Sequence, residues 1–241
     1  MTPFFVGWRL RSVLPSAGFL GAVCALALVL FAGLALALGS AVNDPGGGDF
    51  AGEKDLTGVV VAEPYPLLVL APDADHPNGH AVLLSGGGKR GVQEQANALN
   101  GKRARATGDG FKRGTIDMMV GVDLQPADGP APPPPVTPLG VWRLTGEICD
   151  GKCVSGVMRP GAGLAHKACS NICISGGVPP VLVTTAPVDG GGFLLMGDRN
   201  GHALPDAFRD RTGMPQRMDG SVARIADVLI FRTDVTAAVT P

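Results

Sequence analysis

The chain has 241 residues, 17% charged and 45% hydrophobic, with 36 glycines and 21 prolines. That much Gly and Pro marks a loop-rich protein, while the apolar fraction is too high for a disordered one. Twenty Lys and Arg against 21 Asp and Glu leave a net charge of −1, which excludes the basic surface that nucleic acid or anionic lipid would require.

Residues 1–16 carry Arg9 and Arg11, and Ala17 to Leu38 then reads AGFLGAVCALALVLFAGLALAL without a charge. As a helix this run spans about 33 Å, enough to cross a bilayer core, so a transmembrane anchor is predicted over 17–40. A cleaved secretion signal, with Ala35-Leu36-Ala37 as its processing triplet, is the competing reading; its apolar core rarely exceeds about 15 residues. Arg9 and Arg11 precede the span, whereas Asp44, Asp49 and Glu53 follow it, and the excess of positive charge before the span sets the N-terminus in the cytoplasm. An alphabet rich in Ala, Gly, Val, Asp and Arg but poor in Lys suggests a bacterium. The expectation is a single-pass inner-membrane protein whose bulk lies in the oxidising periplasm.

Gly-rich residues 41–54 read as a flexible tether. Residues 126–138 carry seven prolines, which favour an extended spacer between a first domain over 55–125 and a second over 139–241. The two halves echo one another. Leu56-Thr57-Gly58 returns as Leu144-Thr145-Gly146, Val82-Leu83-Leu84 as Phe193-Leu194-Leu195, and Gly101 to Ala106 as Gly220 to Ile225, with the separation growing between the first two landmarks. The added residues contain Cys149, Cys153, Cys169 and Cys173, so the second half reads as the first plus a cysteine-bearing insertion.

Strands are predicted at 57–61, 67–70, 81–84, 103–107 and 115–120, with a short helix over 92–99 closed by Asn100-Gly101. The second half repeats the plan at 141–148, 181–185, 193–196, 222–226 and 228–232. Five short strands with one helix before the last pair describe a mainly β protein of two tandem small OB-like barrels, although a β-sandwich would satisfy the same strand count.

In the insertion, two Cys-x3-Cys pairs stand 15 residues apart, and a helix over 165–174 would bring His166, Cys169 and Cys173 onto one face, directed at the strand carrying Cys149. Thr145-Gly146-Glu147-Ile148 with Asp150 and Cys153, followed by His166, Cys169, Cys173, Gly176 and Gly177, resembles a family of small exported bacterial OB-like domains of uncharacterised function. Their pattern is TG-x-I-x-D-x-x-C, then H-x-x-C-x-x-x-C-x-x-G-G. The resemblance implies fold and location and carries no catalytic residues; Cys149 stands where that family has an aliphatic residue.

Structural disulfides among Cys149, Cys153, Cys169 and Cys173 are the first reading for an oxidising compartment, with strand-to-helix bridges favoured among the three possible pairings. A zinc or copper site drawn from Cys149, Cys153, His166, Cys169 and Cys173 is the alternative, followed by a redox dithiol, which lacks Cys-x2-Cys at a helix start. Haem has no Cys-x-x-Cys-His run to hold it. Gly86 to Arg90 lacks the glycine spacing of a phosphate loop and reads as a turn. His76 and His80 read as solvated, His202 as a turn residue, and Cys24 as membrane-embedded. No set of residues supplies nucleophile, base and oxyanion donors together. The functional expectation is therefore a non-catalytic accessory subunit contacting membrane lipid and other inner-membrane or periplasmic proteins; the runner-up is a periplasmic thiol-redox or metal-handling protein.

Overall fold

A computed structural model describes residues 16–41 and 46–237. Arg9, Arg11 and Asp44, which set the predicted orientation, lie outside them, as does the start of the predicted tether. The chain forms two units, divided at Asn43 and Asp44. In the first, helix α1 (Ala17–Ala41) is apolar on every side, and its Ala17–Ala37 stretch has mean hydropathy 2.6. Among the described residues it is the one helix long and apolar enough to cross a bilayer. Side chains such as Phe31 and Leu28 are exposed, so its apolar surface is not buried against the rest of the chain.

The second unit holds two closed five-stranded barrels. In the first, β1 (Asp49–Val61), β2 (Leu67–Leu70), β3 (His80–Leu84), helix α2 (Gln93–Leu99), β4 (Arg103–Arg113) and β5 (Ile116–Pro126) close in the order β1-β2-β3-β5-β4. In the second, β6 (Val136–Asp150), helix α3 (Lys167–Ser175), β7 (Pro180–Val188), β8 (Gly191–Gly197), β9 (Pro215–Ile225) and β10 (Val228–Thr233) close as β6-β7-β8-β10-β9. The two orders are the same: β3 runs parallel to β5 and β8 to β10, and every other pairing is antiparallel. The cysteine segment is inserted between β6 and β7, where the first barrel has only the short link from β1 to β2.

The repeated Thr-Gly pair has a steric cause. A Cβ on Gly58 would lie 2.4 Å from the Val69 carbonyl oxygen, and one on Gly146 would lie 2.4 Å from that of Val183, so in both barrels the first strand passes too close to the second for any side chain. The third echo is out of register. Gly58 pairs with Ala104 and Gly146 with Gln216, so Gly220 corresponds to Gly108 and not to Gly101. The matching environments agree: a Cβ on Gly108 would meet the Val120 carbonyl at 2.8 Å, and one on Gly220 that of Arg232 at 2.4 Å.

Strands run further into Gly- and Pro-rich sequence than composition implied. Residues 49–54 of the expected tether belong to β1, which pairs with β4, and the Pro-rich segment narrows to 127–135 because Pro126 ends β5 and Val136 opens β6. Irregular pairing between Phe50 and Glu53, and between Pro138 and Val141, absorbs Gly52 (φ 83°) and Gly140 (φ 89°) as bulges.

The barrels do not stand apart on their spacer. Leu67, Leu83 and Met118 of the first and Val181, Leu195 and Ile230 of the second share one buried cluster with Cys149, Cys153 and Cys173. Ile230→Ala, at a fully buried position of this cluster, is expected to cost about 2–5 kcal/mol in a urea titration. Because the core is shared, both barrels should still unfold in one transition; two separated transitions would contradict this packing.

His80 ties the same interface together and is not a solvated loop residue. Its Nδ1 lies 2.6 Å from Asp227 Oδ2 in the β9–β10 turn and its Nε2 2.9 Å from Asp117 Oδ2 in β5, while the Ala81 N–H donates to Asp227 Oδ1 at 2.8 Å. Hydrogen bonds to the two carboxylates raise its pKa from 6.5 to about 9. A raised pKa means that this stabilisation is complete below about pH 6.5 and is lost as pH climbs through about 9. The urea midpoint of the wild type should therefore fall more steeply than that of His80→Gln between about pH 6 and about pH 10; parallel profiles would refute the clamp.

Candidate metal-binding thiol site

The insertion begins where β6 ends. The Asp150 carboxylate caps the turn that follows, accepting the Cys153 N–H at 2.8 Å through Oδ1, while the Asp150 N–H donates to Ser170 Oγ at 2.8 Å. The chain then makes a wide turn over Cys153–Val157, kinked at Gly156 (φ 122°), and returns through the 3-10 turn Leu164–His166 into α3. Gly161 (φ 72°) lets this return pass close: a Cβ there would lie 2.5 Å from the Cys153 carbonyl oxygen. Along α3, Cys169 and Cys173 are one turn apart and share a face.

The outcome is a convergence of three sulfurs. Cys153, Cys169 and Cys173 place Sγ atoms within 4.8 Å of one another; Cys153 and Cys173 are buried and Cys169 is half-buried. No disulfide joins the cysteines, and all five are free thiols. The expected bridges are therefore not formed here: three thiols surround one point, so any pair among them would leave the third over.

Cys149 does not join the set. Its thiol is packed in the buried cluster and interacts with Glu147, and that burial pushes its pKa well up. The helix thus aims its sulfurs at Cys153 and not at the strand residue Cys149. His166 is buried and its Nε2 lies 3.1 Å from Asp150 Oδ2; these two and Cys153 form an adjoining cluster, also within 4.8 Å. The five-residue metal set expected from sequence therefore divides into a three-thiol core, His166 beside it, and Cys149 apart.

The first barrel completes the site. Lys89 donates from Nζ to Cys169 Sγ at 2.8 Å and approaches Cys173 Sγ at 3.7 Å. The buried Lys152 spans the interface the other way, donating to the carbonyls of Gly86 at 2.8 Å and Gly88 at 2.5 Å. Glycines make the approach possible. A Cβ on Gly176 would sit 1.8 Å from the Lys89 carbonyl oxygen and one on Gly91 2.0 Å from that of Gly177, while the Gly91 N–H donates to the Gly176 carbonyl at 2.7 Å.

These contacts set the chemistry of the sulfurs. A hydrogen bond from the Cys153 thiol, assisted by the Lys89 charge, lowers Cys173 to about 7, so thiolate is present near neutral pH. The same hydrogen bond and burial raise Cys153, the donor of the pair. Its bond to Cys169 raises Lys89 and keeps it an ammonium. A cluster of thiolate and thiol, half shielded from water and next to a cation, is chemically suited to exchanging its protons for a thiophilic metal ion.

Sequence reasoning missed Lys89, Lys152 and Met158, whose Sδ lies 3.7 Å from Cys169 Sγ. A signal existed in the two glycine pairs of the loop and of the α3 end, since facing backbones free of Cβ atoms can dock closely. Two other clusters are separate from this one. His76, stacked on His80 at 4.4 Å, makes a His76, His80 and Asp227 group, but the carboxylates of the clamp already engage both His80 nitrogens. His202 closes a turn with Asp198, as its sequence context implied. No protein-family model, curated protein or solved structure matches the chain.

Proposed function

We propose that the protein is held in a bacterial inner membrane by α1, with its barrel pair in the periplasm, and that it binds one zinc or copper ion through Cys153, Cys169 and Cys173. In this reading it serves a membrane assembly as a metal-handling accessory subunit without turnover of its own. The observation that carries the reading is the meeting of three sulfurs from two elements within 4.8 Å, with the Lys89 ammonium already in place as a counter-charge. Structural bridging would bring sulfurs together two by two. An odd set around a common point, with one member half-exposed, is instead the arrangement of an ion site with an entry.

Location and binding are tested separately. A reporter active only in the periplasm, fused after the second barrel, should be active, and the protein should remain with membranes after an alkaline wash; a cytoplasmic fusion would overturn the location. For binding, reduced protein titrated with zinc against a chromophoric chelator should take up one equivalent and release protons as it does so. Failure to take up zinc or Cu(I), with rapid formation of a Cys169–Cys173 disulfide under mild oxidation, would favour a thiol-redox protein instead.

A further inference from the structure

Resting on the three-thiol reading, we infer that the ion the site selects is monovalent copper, and that Met158 is its exchangeable fourth ligand. The donors at the open side of the cluster are all sulfur. Met158 Sδ lies 3.7 Å from Cys169 Sγ, and Met158 is 47% exposed, so its thioether stands beside the half-buried thiol where solvent can reach it. A thioether is a neutral, soft donor: it suits Cu(I) and adds little for Zn(II), which completes its tetrahedron from imidazole, carboxylate or water.

The harder donors nearby already have hydrogen-bond partners. His166 Nε2 is 3.1 Å from Asp150 Oδ2, Asp150 Oδ1 accepts from the Cys153 N–H, and the Glu147 carboxylate accepts the Gly163 N–H at 3.1 and 3.2 Å. The Met158 position is held by backbone as well. The tight return at Gly161, which leaves no room for a Cβ beside the Cys153 and Met158 carbonyls, fixes the backbone that carries Met158 close to that of Cys153. Two buried sulfurs, Cys153 and Cys173, would anchor the ion, while Cys169 and Met158 stand at the surface. A ligand pair facing solvent can be replaced one sulfur at a time by donors of an incoming partner, which gives the site a route for passing copper on.

The test compares Cu(I) and Zn(II) on the full-length reduced protein in detergent, under anaerobic conditions, with a chromophoric Cu(I) chelator as competitor. Wild type should take one Cu(I) and release bound zinc to equimolar Cu(I). Met158→Leu, a surface change of similar volume, should weaken Cu(I) about tenfold and speed its loss to the chelator, leaving zinc affinity unchanged. His166→Gln, checked for folding by its thermal transition, should weaken Cu(I) no more than it weakens zinc, because His166 reaches Cys153 only through Asp150. Zinc retained against equimolar Cu(I), equal Cu(I) affinity in Met158→Leu, or a loss in His166→Gln that is larger for Cu(I) than for zinc would each overturn copper selection while the three-thiol site stands. Binding of neither ion would overturn both.

Discussion

Cys173→Ser should reduce metal affinity by more than about hundredfold, the largest functional effect expected of any single substitution in this chain. Loss of an outer-shell partner in metal proteins costs about 10–100-fold, and in the proposed site Cys173 would be a direct donor, buried, with its pKa lowered to about 7 by the Cys153 hydrogen bond and Lys89. Cys149→Ser is the matched control. Its thiol is also buried, but it lies outside the three-sulfur group, so its replacement should cost stability and leave metal affinity within about twofold. Equal losses in the two variants would mean that the cysteines act through folding alone.

The second large effect is expected from Gly176→Ala. The added Cβ would lie 1.8 Å from the Lys89 carbonyl oxygen, a backbone atom that cannot rotate aside, so either the loop carrying Lys89 or the end of α3 must move. Overpacking of this kind costs about 1–3 kcal/mol and at times more. Here the displacement also withdraws the ammonium from Cys169 and strains the Lys152 bonds to Gly86 and Gly88. Gly176→Ala should therefore lower the denaturation midpoint and metal affinity together, whereas Gly87→Ala, with nothing within 4 Å of its Cβ, should change neither. An unchanged midpoint in Gly176→Ala would show that the loop does not dock on α3.

Much of the barrel architecture was legible because each strand core is a run of β-branched or aliphatic residues between turn residues, as in 67–70, where the predicted and observed strands coincide. The Thr-Gly repeat was legible for a steric reason now visible at Gly58 and Gly146. What remained hidden was everything that depends on how the two barrels meet. Residues 49–54 and 136–138 read as linker because strand ends next to bulges carry the residues of loops. The cysteine segment showed its chemistry but not its membership: strand direction, which periodicity does not give, sends Cys149 into the core, and the turn at Gly156 brings Cys153 to α3. Lys89 lies far from the cysteines in sequence, in a stretch that reads locally as a turn and becomes part of the site only through docking against Gly176 and Gly177. His80 was likewise misread, because both of its carboxylate partners come from other strands and turns.

The most direct test of the central claim is X-ray absorption at the metal edge on protein loaded with one equivalent of ion. For the zinc-loaded protein the proposed site predicts a shell of three sulfur atoms at about 2.3 Å, reduced to two in Cys169→Ser, with the Met158 thioether added only when Cu(I) is bound. A shell dominated by nitrogen and oxygen, or one unchanged by that substitution, would contradict a site built from Cys153, Cys169 and Cys173.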